Sequence, residues 1–137
     1  MKPELVLGGK YADFRGALLH NNDFDCSLVK RIYVIENVDN SFMRGWQGHK
    51  VEQRWFTAMQ GSFKIQLIKI DVWECPSKKT NVDSYIIDSE KLDILHIPKG
   101  YITSIQSLSD KSRLLVMADY SLNEISDEFK FPLDYFE

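Results

Sequence analysis

The sequence predicts an all-β domain whose strands form a sandwich or a barrel. Most apolar residues stand in short runs rich in β-branched and aromatic side chains, and turn residues separate the runs. No stretch shows the apolar repeat of a convincing amphipathic helix. The runs recur at intervals of roughly ten residues, which is typical of sandwiches and barrels.

The apolar runs and the turns between them place the strands along the chain. The predicted strands cover residues 5–7, 17–20, 28–36, 54–59, 62–71, 84–88, 92–97, 101–107 and 113–118. The tail, residues 121–137, is predicted to form a short helical turn and then to pack its aromatic side chains over the barrel. These side chains are Phe129, Phe131, Tyr135 and Phe136.

One predicted strand changes the face on which it carries apolar side chains. Phe63, Ile65 and Leu67 share one face, whereas Ile68 and Ile70 share the other. A bulge would cause this change of phase, and so would burial of the strand on both faces.

Length and composition indicate one cytoplasmic domain without nucleic-acid or membrane partners. The 137 residues suffice for one core, so a single domain over 1–137 is expected. A net charge of −3 disfavours a general nucleic-acid binder. No apolar run approaches the roughly 20 residues that span a bilayer, and no secretory signal is evident. Cys26 and Cys75 cannot build a disulfide framework, so reduced thiols are expected.

Segment 42–50 is the most unusual part of the chain. It has no ordinary strand pattern, yet it concentrates Arg44, Trp46, Gln47, His49 and Lys50 within seven residues. Gly61 follows at a fixed distance, and a second tight turn, Pro98-Lys99-Gly100, follows a later strand.

This spacing of glycine and proline resembles the two sequence motifs of the cupin superfamily. Gly61 matches the end of the first motif, and Pro98 and Gly100 match the second. The positions of the four metal ligands hold Gln47, His49, Arg54 and Thr103. A divalent metal needs three or four converging His, Cys or carboxylate ligands, and an arginine would repel it. The resemblance therefore implies an all-β jelly-roll barrel, and we expect neither a catalytic metal nor another cofactor.

Three stretches resemble one branch of that superfamily. They are Asp13-Phe14-Arg15-Gly16, the run from Arg44 to Lys50, and Ile97-Pro98-Lys99-Gly100-Tyr101 followed later by Asp119-Tyr120. The first is similar to a motif of the dTDP-4-dehydrorhamnose 3,5-epimerases, the second to a motif of the dTDP-4-keto-6-deoxyglucose 3,4-ketoisomerases, and the third to motifs of both. The resemblance covers roughly residues 10 to 137. It implies a nucleotide-sugar substrate, a role in surface-polysaccharide synthesis, and a homodimer whose N-terminal strands join the partner's sheet.

The departures from these families favour the ketoisomerases. The position of the epimerase base holds Gln47, and that of the epimerase tyrosine holds Leu115. The second histidine of the ketoisomerase pair is kept as His49, and the upstream ketoisomerase pattern is matched by Arg31-Ile32-Tyr33. Two alternatives stay open: an epimerase with a rebuilt catalytic pair, and a non-catalytic cupin that binds a sugar nucleotide or carbohydrate.

The resemblance assigns candidate roles to four residues around the reacting sugar. His49 is the expected acid and base that carries a proton from C3 to C4 of a 4-keto sugar. Tyr33 and Arg54 are candidates to stabilise the enediolate intermediate, and Gln47 to orient sugar hydroxyls. In an enzyme, His49, Tyr33 and Arg54 should converge in one open pocket, whereas a backbone carbonyl could lock His49 in a binding module.

Further residues are candidates for binding the nucleotide. Arg15 and Arg44 each precede a glycine and suit a diphosphate, although surface ion pairs would explain them as well. His20 stands where the epimerases contact the nucleotide, and Lys50 could reach a phosphate. Thr103 completes the expected substrate-binding residues. His96 is expected in the barrel wall.

Overall fold

The computed structural model describes residues 1–137 and consists of twelve β-strands without a helix. The strands are β1 Glu4–Val6, β2 Gly9–Asp13, β3 Gly16–His20, β4 Arg31–Ile35, β5 Met43–His49, β6 Arg54–Gln60, β7 Ser62–Lys69, β8 Asp83–Asp88, β9 Ile94–Ile97, β10 Tyr101–Ser107, β11 Arg113–Ala118 and β12 Glu128–Lys130. No helix in the structure is able to cross a membrane.

Two five-stranded antiparallel sheets enclose the core. The first has the order β1-β9-β6-β11-β4, and the second has the order β12-β5-β10-β7-β8. Strands β2 and β3 form a separate hairpin. The main core unites apolar side chains from both five-stranded sheets, such as Phe56 and Val116 from the first and Phe63 and Ile105 from the second. This arrangement confirms the predicted all-β fold.

The predicted strand at 62–71 is buried on both faces and has no bulge. Its pairing with β10 is continuous from Phe63 to Lys69. Phe63, Ile65 and Leu67 enter the main core, whereas Ile68 and Ile70 pack with Trp46 on the other side of the sheet. The strand itself ends at Lys69.

Three strands were not predicted, and the most important is β5. The prediction that segment 42–50 lacks strand structure is wrong, because residues 43–49 pair with β10 on one side and with β12 on the other. Residues 26–29 form a turn in which the Val29 N–H donates to the Cys26 carbonyl oxygen, and β4 begins only at Arg31.

The tail covers the outer face of the second sheet, but it contains no helix. Residues 121–124 form a turn. Phe131 and Phe136 then pack on the cluster around Trp46, and Phe129 contacts Trp73 at a centroid distance of 4.7 Å. The predicted aromatic cover is therefore present, and the predicted helical turn is not.

Candidate active site

A cavity of about 330 Å³ opens between the two sheets, and it contains most of the residues predicted to act on the substrate. Its volume lies at the lower end of the range for small-molecule sites. Six predicted site residues line it: Tyr33, Arg44, Gln47, His49, Arg54 and Thr103. A second cavity of about 420 Å³ lies next to it and shares His49, Glu52 and Arg54.

A bulge in β5 turns three of these side chains towards the same cavity. Gln47 pairs with Thr103, and regular pairing would then place Gly45 opposite Ile105, but Arg44 takes that place. Because residues directly opposite each other point to the same side of an antiparallel pair, Arg44 joins Gln47 and His49 on the inner face. Gly45 adopts a φ of +149°, and a Cβ there would lie 2.7 Å from the Thr103 carbonyl oxygen, so the bulge requires glycine.

His49 is held by one ring nitrogen and is free at the other. Its Nδ1 lies 3.0 Å from the Asp127 carbonyl oxygen and 3.5 Å from Glu52 Oε2. A carbonyl oxygen only accepts, so Nδ1 carries the proton and Nε2 keeps its lone pair. Burial lowers the pKa of His49, and the nearby Arg54 lowers it further. The ring is therefore a neutral base at pH 7.

Arg54 places a buried cation beside this base. It is 6% exposed, and its Nη1 donates to Glu52 Oε1 and to the Gln53 carbonyl oxygen, each at 3.1 Å. Its Nε has no hydrogen-bond partner in the protein. A buried donor without a partner is costly, and a negatively charged oxygen of a bound ligand would satisfy it.

Gln47 is oriented by the neighbouring strand β12. Its Nε2 donates to Glu128 Oε1, which also faces Lys130 Nζ at 3.5 Å. Because the amide NH₂ is engaged, the amide oxygen is left to accept a hydrogen bond from a ligand. The Thr103 hydroxyl is used within the sheet, since it donates to the Gln47 carbonyl oxygen at 3.4 Å.

The tyrosine that reaches the cavity comes from β4 and not from β11. Leu115, matched by sequence to the epimerase tyrosine, is opposite Val34, while Leu114 and Val116 on either side of it enter the core. Leu115 therefore faces away from the cavity, and the inward neighbours carry no hydroxyl group. Tyr33 is opposite Val116 and lines the cavity, with the Arg31 guanidinium 4.5 Å from its ring centroid.

Three predicted binding residues lie outside both of these cavities. Arg15 stands at the exposed turn of the β2–β3 hairpin and pairs with Asp13 at 2.7 Å. His20 ends β3 and packs against Gly9. Lys50 is exposed directly after β5. His96 lies on the first sheet as predicted, stacked on Trp55 at a centroid distance of 5.3 Å.

Sequence reasoning missed Glu52 and Asp127. Glu52 lies between His49 and Arg54 in space as well as in sequence, and opposite charges two positions apart were the available signal. Asp127 gave no signal, because it follows His49 by 78 residues and acts on backbone groups.

The acidic side chains near His49 do not fit a divalent cation. His49, Glu52 and Asp127 bring their ligating atoms within 4.8 Å of one another. However, the Asp127 carboxylate already accepts three backbone N–H groups, Glu52 is paired with Arg54, and the arginine would repel a metal. The absence of a cofactor remains a prediction.

The fold is that of a cupin, as predicted. The sequence matches the family described as "FdtA: WxcM-like, C-terminal" over residues 9–132, and the chain belongs to this family. A search of the curated proteins finds no match.

Solved structures of enzymes share this fold. A variant of the 3,4-ketoisomerase QdtA from Thermoanaerobacterium thermosaccharolyticum, in complex with TDP-4-keto-6-deoxyglucose, is 25% identical with a TM-score of 0.71, over 94% of this chain and 87% of that one. A 3,4-ketoisomerase from Helicobacter canadensis is 28% identical with a TM-score of 0.68, over 90% and 89%. The dTDP-4-dehydrorhamnose 3,5-epimerase from Bacillus anthracis, 16% identical with a TM-score of 0.69 over 91% and 77%, shares the fold. The chain is thus an enzyme of the isomerase and epimerase group, as predicted.

Proposed function

We propose that the protein is a metal-independent 3,4-ketoisomerase acting on a nucleotide-linked 4-keto-6-deoxy sugar. The observation that carries the proposal is the meeting of His49, Arg54 and Tyr33 in one cavity. A backbone carbonyl does hold His49, but through Nδ1 alone, so it orients the base and leaves Nε2 free. The ketoisomerases among the similar structures are consistent with this reaction.

The reaction needs one base that serves two neighbouring carbons. His49 Nε2 takes the proton from C3, the electron pair of the C3–H bond forms the C3=C4 double bond, and the C4 carbonyl oxygen becomes the enediolate oxygen. His49 then returns its proton to C4, while the O3 proton passes to O4 and C3 becomes the carbonyl carbon. Such a base contributes roughly 10²–10⁴-fold to the rate.

The enediolate oxygen needs a donor that is already in place. Arg54 offers a buried positive charge and an Nε without a partner, and the Tyr33 hydroxyl adds a second donor from β4 of the same sheet. Because burial keeps water away, these groups stabilise the developing charge more strongly than they would in water. The oxygen of the Gln47 amide accepts a hydrogen bond from a sugar hydroxyl.

Two features of the site favour ketoisomerisation over double epimerisation. An amide at Gln47 cannot take a proton, so one histidine is the only base on β5. No tyrosine projects from β11 into the core, because its inward residues include Leu114 and Val116. One base on one side of the sugar fits transfer between adjacent carbons.

We assign the diphosphate to arginine. Arg44 lines the cavity and makes no ion pair within the chain, unlike Arg15, Arg54 and Arg113. Its planar guanidinium can donate two parallel hydrogen bonds to a diphosphate. QdtA has been captured with TDP and with a TDP sugar, which supports a nucleotide ligand here. His20, Lys50 and Thr103 remain proposed as weaker contacts.

A homodimer would bring Arg15 to a site. The β2–β3 hairpin exposes apolar side chains, including Phe14, which is 97% exposed, and β4 is an uncovered edge strand that exposes Ile32. Such edges and apolar patches are usually covered by a partner. We infer that the hairpin docks on a second copy, so that Arg15 acts at the partner's cavity.

We also propose that the enzyme acts in the cytoplasm and in surface-polysaccharide synthesis.

Proton NMR in D₂O tests the reaction directly. The protein is incubated with dTDP-4-keto-6-deoxyglucose, with His49→Ala as the inactive control. A ketoisomerase exchanges the C3 proton and forms a 3-keto sugar. Exchange at C3 and C5 without migration of the ketone would establish an epimerase instead, and saturation transfer without exchange would indicate a protein that only binds the sugar nucleotide.

Subunit mixing tests the shared site. Arg15→Ala and His49→Ala are each expected to be inactive, whereas their mixture should regain roughly a quarter of the wild-type activity, because half of the dimers then hold one intact site of two. No recovery after exchange of subunits would refute the contribution of Arg15 to the partner's site.

A further inference from the structure

Asp127 contacts both His49 and the loop that follows it, although it lies far away in sequence. The residue is 6% exposed and immediately precedes β12. Its carboxylate accepts the backbone N–H groups of Lys50, Val51 and Glu52 at 3.1, 2.8 and 2.8 Å. Its own carbonyl oxygen accepts the His49 Nδ1 proton at 3.0 Å. Asp127 therefore fixes both the loop after β5 and the imidazole ring of His49, the last residue of β5.

These contacts depend on one another. Three hydrogen bonds to a charged acceptor hold the Asp127 side chain on the loop, and hydrogen bonds to a charged group are the stronger ones. Because the carboxylate is anchored, the main chain of Asp127 stays within reach of the imidazole. If the anchor is lost, the carbonyl oxygen moves away from Nδ1. Glu52 Oε2, at 3.5 Å, is too far from Nδ1 to replace it with a good hydrogen bond, so both ring tautomers become populated.

We propose that Asp127 is a positioning residue that selects the Nδ1–H tautomer of His49 and so keeps Nε2 free to accept the substrate's proton. The catalytic consequence rests on the proposed function, since it assumes that Nε2 is the base. The tautomer itself does not depend on the proposed function and can be observed without substrate.

A second aspartate, Asp119, also accepts a backbone N–H of the loop after β5 and provides a matched control for Asp127. The Asp119 carboxylate accepts the Gln53 N–H at 2.8 Å and the Gln53 side-chain amide at 3.2 Å. The amide oxygen of Gln53 lies 2.6 Å from His96 Nε2, so His96 is held in the opposite tautomer, with the proton on Nε2. Asp119 and Asp127 are thus alike as loop anchors, but each acts on a different histidine.

Nitrogen NMR distinguishes the effect of Asp127 on the His49 tautomer from the effect of Asp119 on the His96 tautomer. The chain contains three histidines, so ¹⁵N-histidine labelling with long-range ¹H–¹⁵N spectra at pH 8 resolves each ring, and His20→Gln and His96→Gln assign the signals. We expect His49 as the Nδ1–H form and His96 as the Nε2–H form. Asp127→Asn, which keeps one acceptor oxygen, should give mixed tautomers at His49, and Asp127→Ala should increase the mixing. Neither variant should alter His96. Asp119→Asn should alter His96 alone.

Turnover of the 4-keto sugar gives the second measurement. Asp127→Asn is expected to lower kcat by roughly 10–100-fold, as orienting residues do for other functional histidines, with KM changed by less than about threefold. Asp119→Asn should leave kcat within about threefold of the wild-type value. A folded Asp127→Asn variant with wild-type kcat and an unchanged His49 tautomer would overturn the proposal. If both Asp127 variants fail to fold, the wild-type spectrum decides, because an Nε2–H form of His49 contradicts it. Absence of turnover in the wild type would refute only the proposed function.

Discussion

The buried pair of Glu52 and Arg54 gives the sharpest test of how this site is held together. Their side chains are 10% and 8% exposed, and the Nη1–Oε1 distance is 3.1 Å. Arg54→Met keeps similar volume and leaves Glu52 as a buried charge without its partner. At an effective dielectric constant of about 20, a pair at this distance interacts by about 5 kcal/mol. Removal of one partner of a buried pair costs about 3–5 kcal/mol.

Urea unfolding at pH 7.5 measures this loss as a change in the free energy of unfolding. The double variant Arg54→Met with Glu52→Gln removes both charges, and we expect it to regain most of the lost stability, since apolar or neutral replacements of buried pairs are often tolerated. Arg15→Met is the control, because the Arg15–Asp13 pair is shorter, at 2.7 Å, but Arg15 is 73% exposed. Its unfolding midpoint should not change measurably.

The double variant should be folded and inactive, because the donor for the enediolate is gone. A loss below about 1 kcal/mol in Arg54→Met would refute the reasoning, since it would mean that Glu52 tolerates burial alone or that water reaches it. Wild-type activity in the double variant would refute the role of Arg54.

Three more outcomes follow from the geometry. Burial lowers the pKa of both His49 and His96, so the unfolded chain binds more protons than the folded chain below pH 6.5. The urea concentration at the unfolding midpoint should therefore decrease when the pH is lowered from 7.5 to 5.5. A midpoint that does not change with pH would contradict this. Gly48→Ala would place a Cβ 2.6 Å from Ile102 Cα, between β5 and β10. This substitution should lower the free energy of unfolding by about 1–3 kcal/mol in urea titrations. An unchanged unfolding midpoint would argue against the close approach of the two strands. Gln47→Leu removes one hydrogen-bond acceptor and should raise KM for the keto sugar about tenfold in steady-state assays, while an unchanged KM would mean that the amide does not touch the sugar.

Local sequence was sufficient for the strands that follow simple rules. β10 and β11 were predicted with the bounds that the structure gives, because alternating apolar residues between turn residues leave little choice of conformation. Strand β5 was missed, since the bulge at Gly45 breaks the alternation and the exposed polar residues hide it. β2 and β12 lie in segments with no such clear pattern.

The features of the candidate site also fall into those that the sequence predicts and those that only the tertiary structure decides. The sequence by itself determined which chemical groups are available: a histidine kept at one ligand position of a cupin, and an amide, an arginine and a threonine at the other three. Tertiary structure alone decided how they are used. It placed Tyr33 rather than a residue of β11 beside the base, it paired Arg54 with Glu52, and it brought Asp127 to the far side of the His49 ring. The physical reason is that sheet pairing joins residues distant in sequence, whereas local patterns record only which face of a strand is buried.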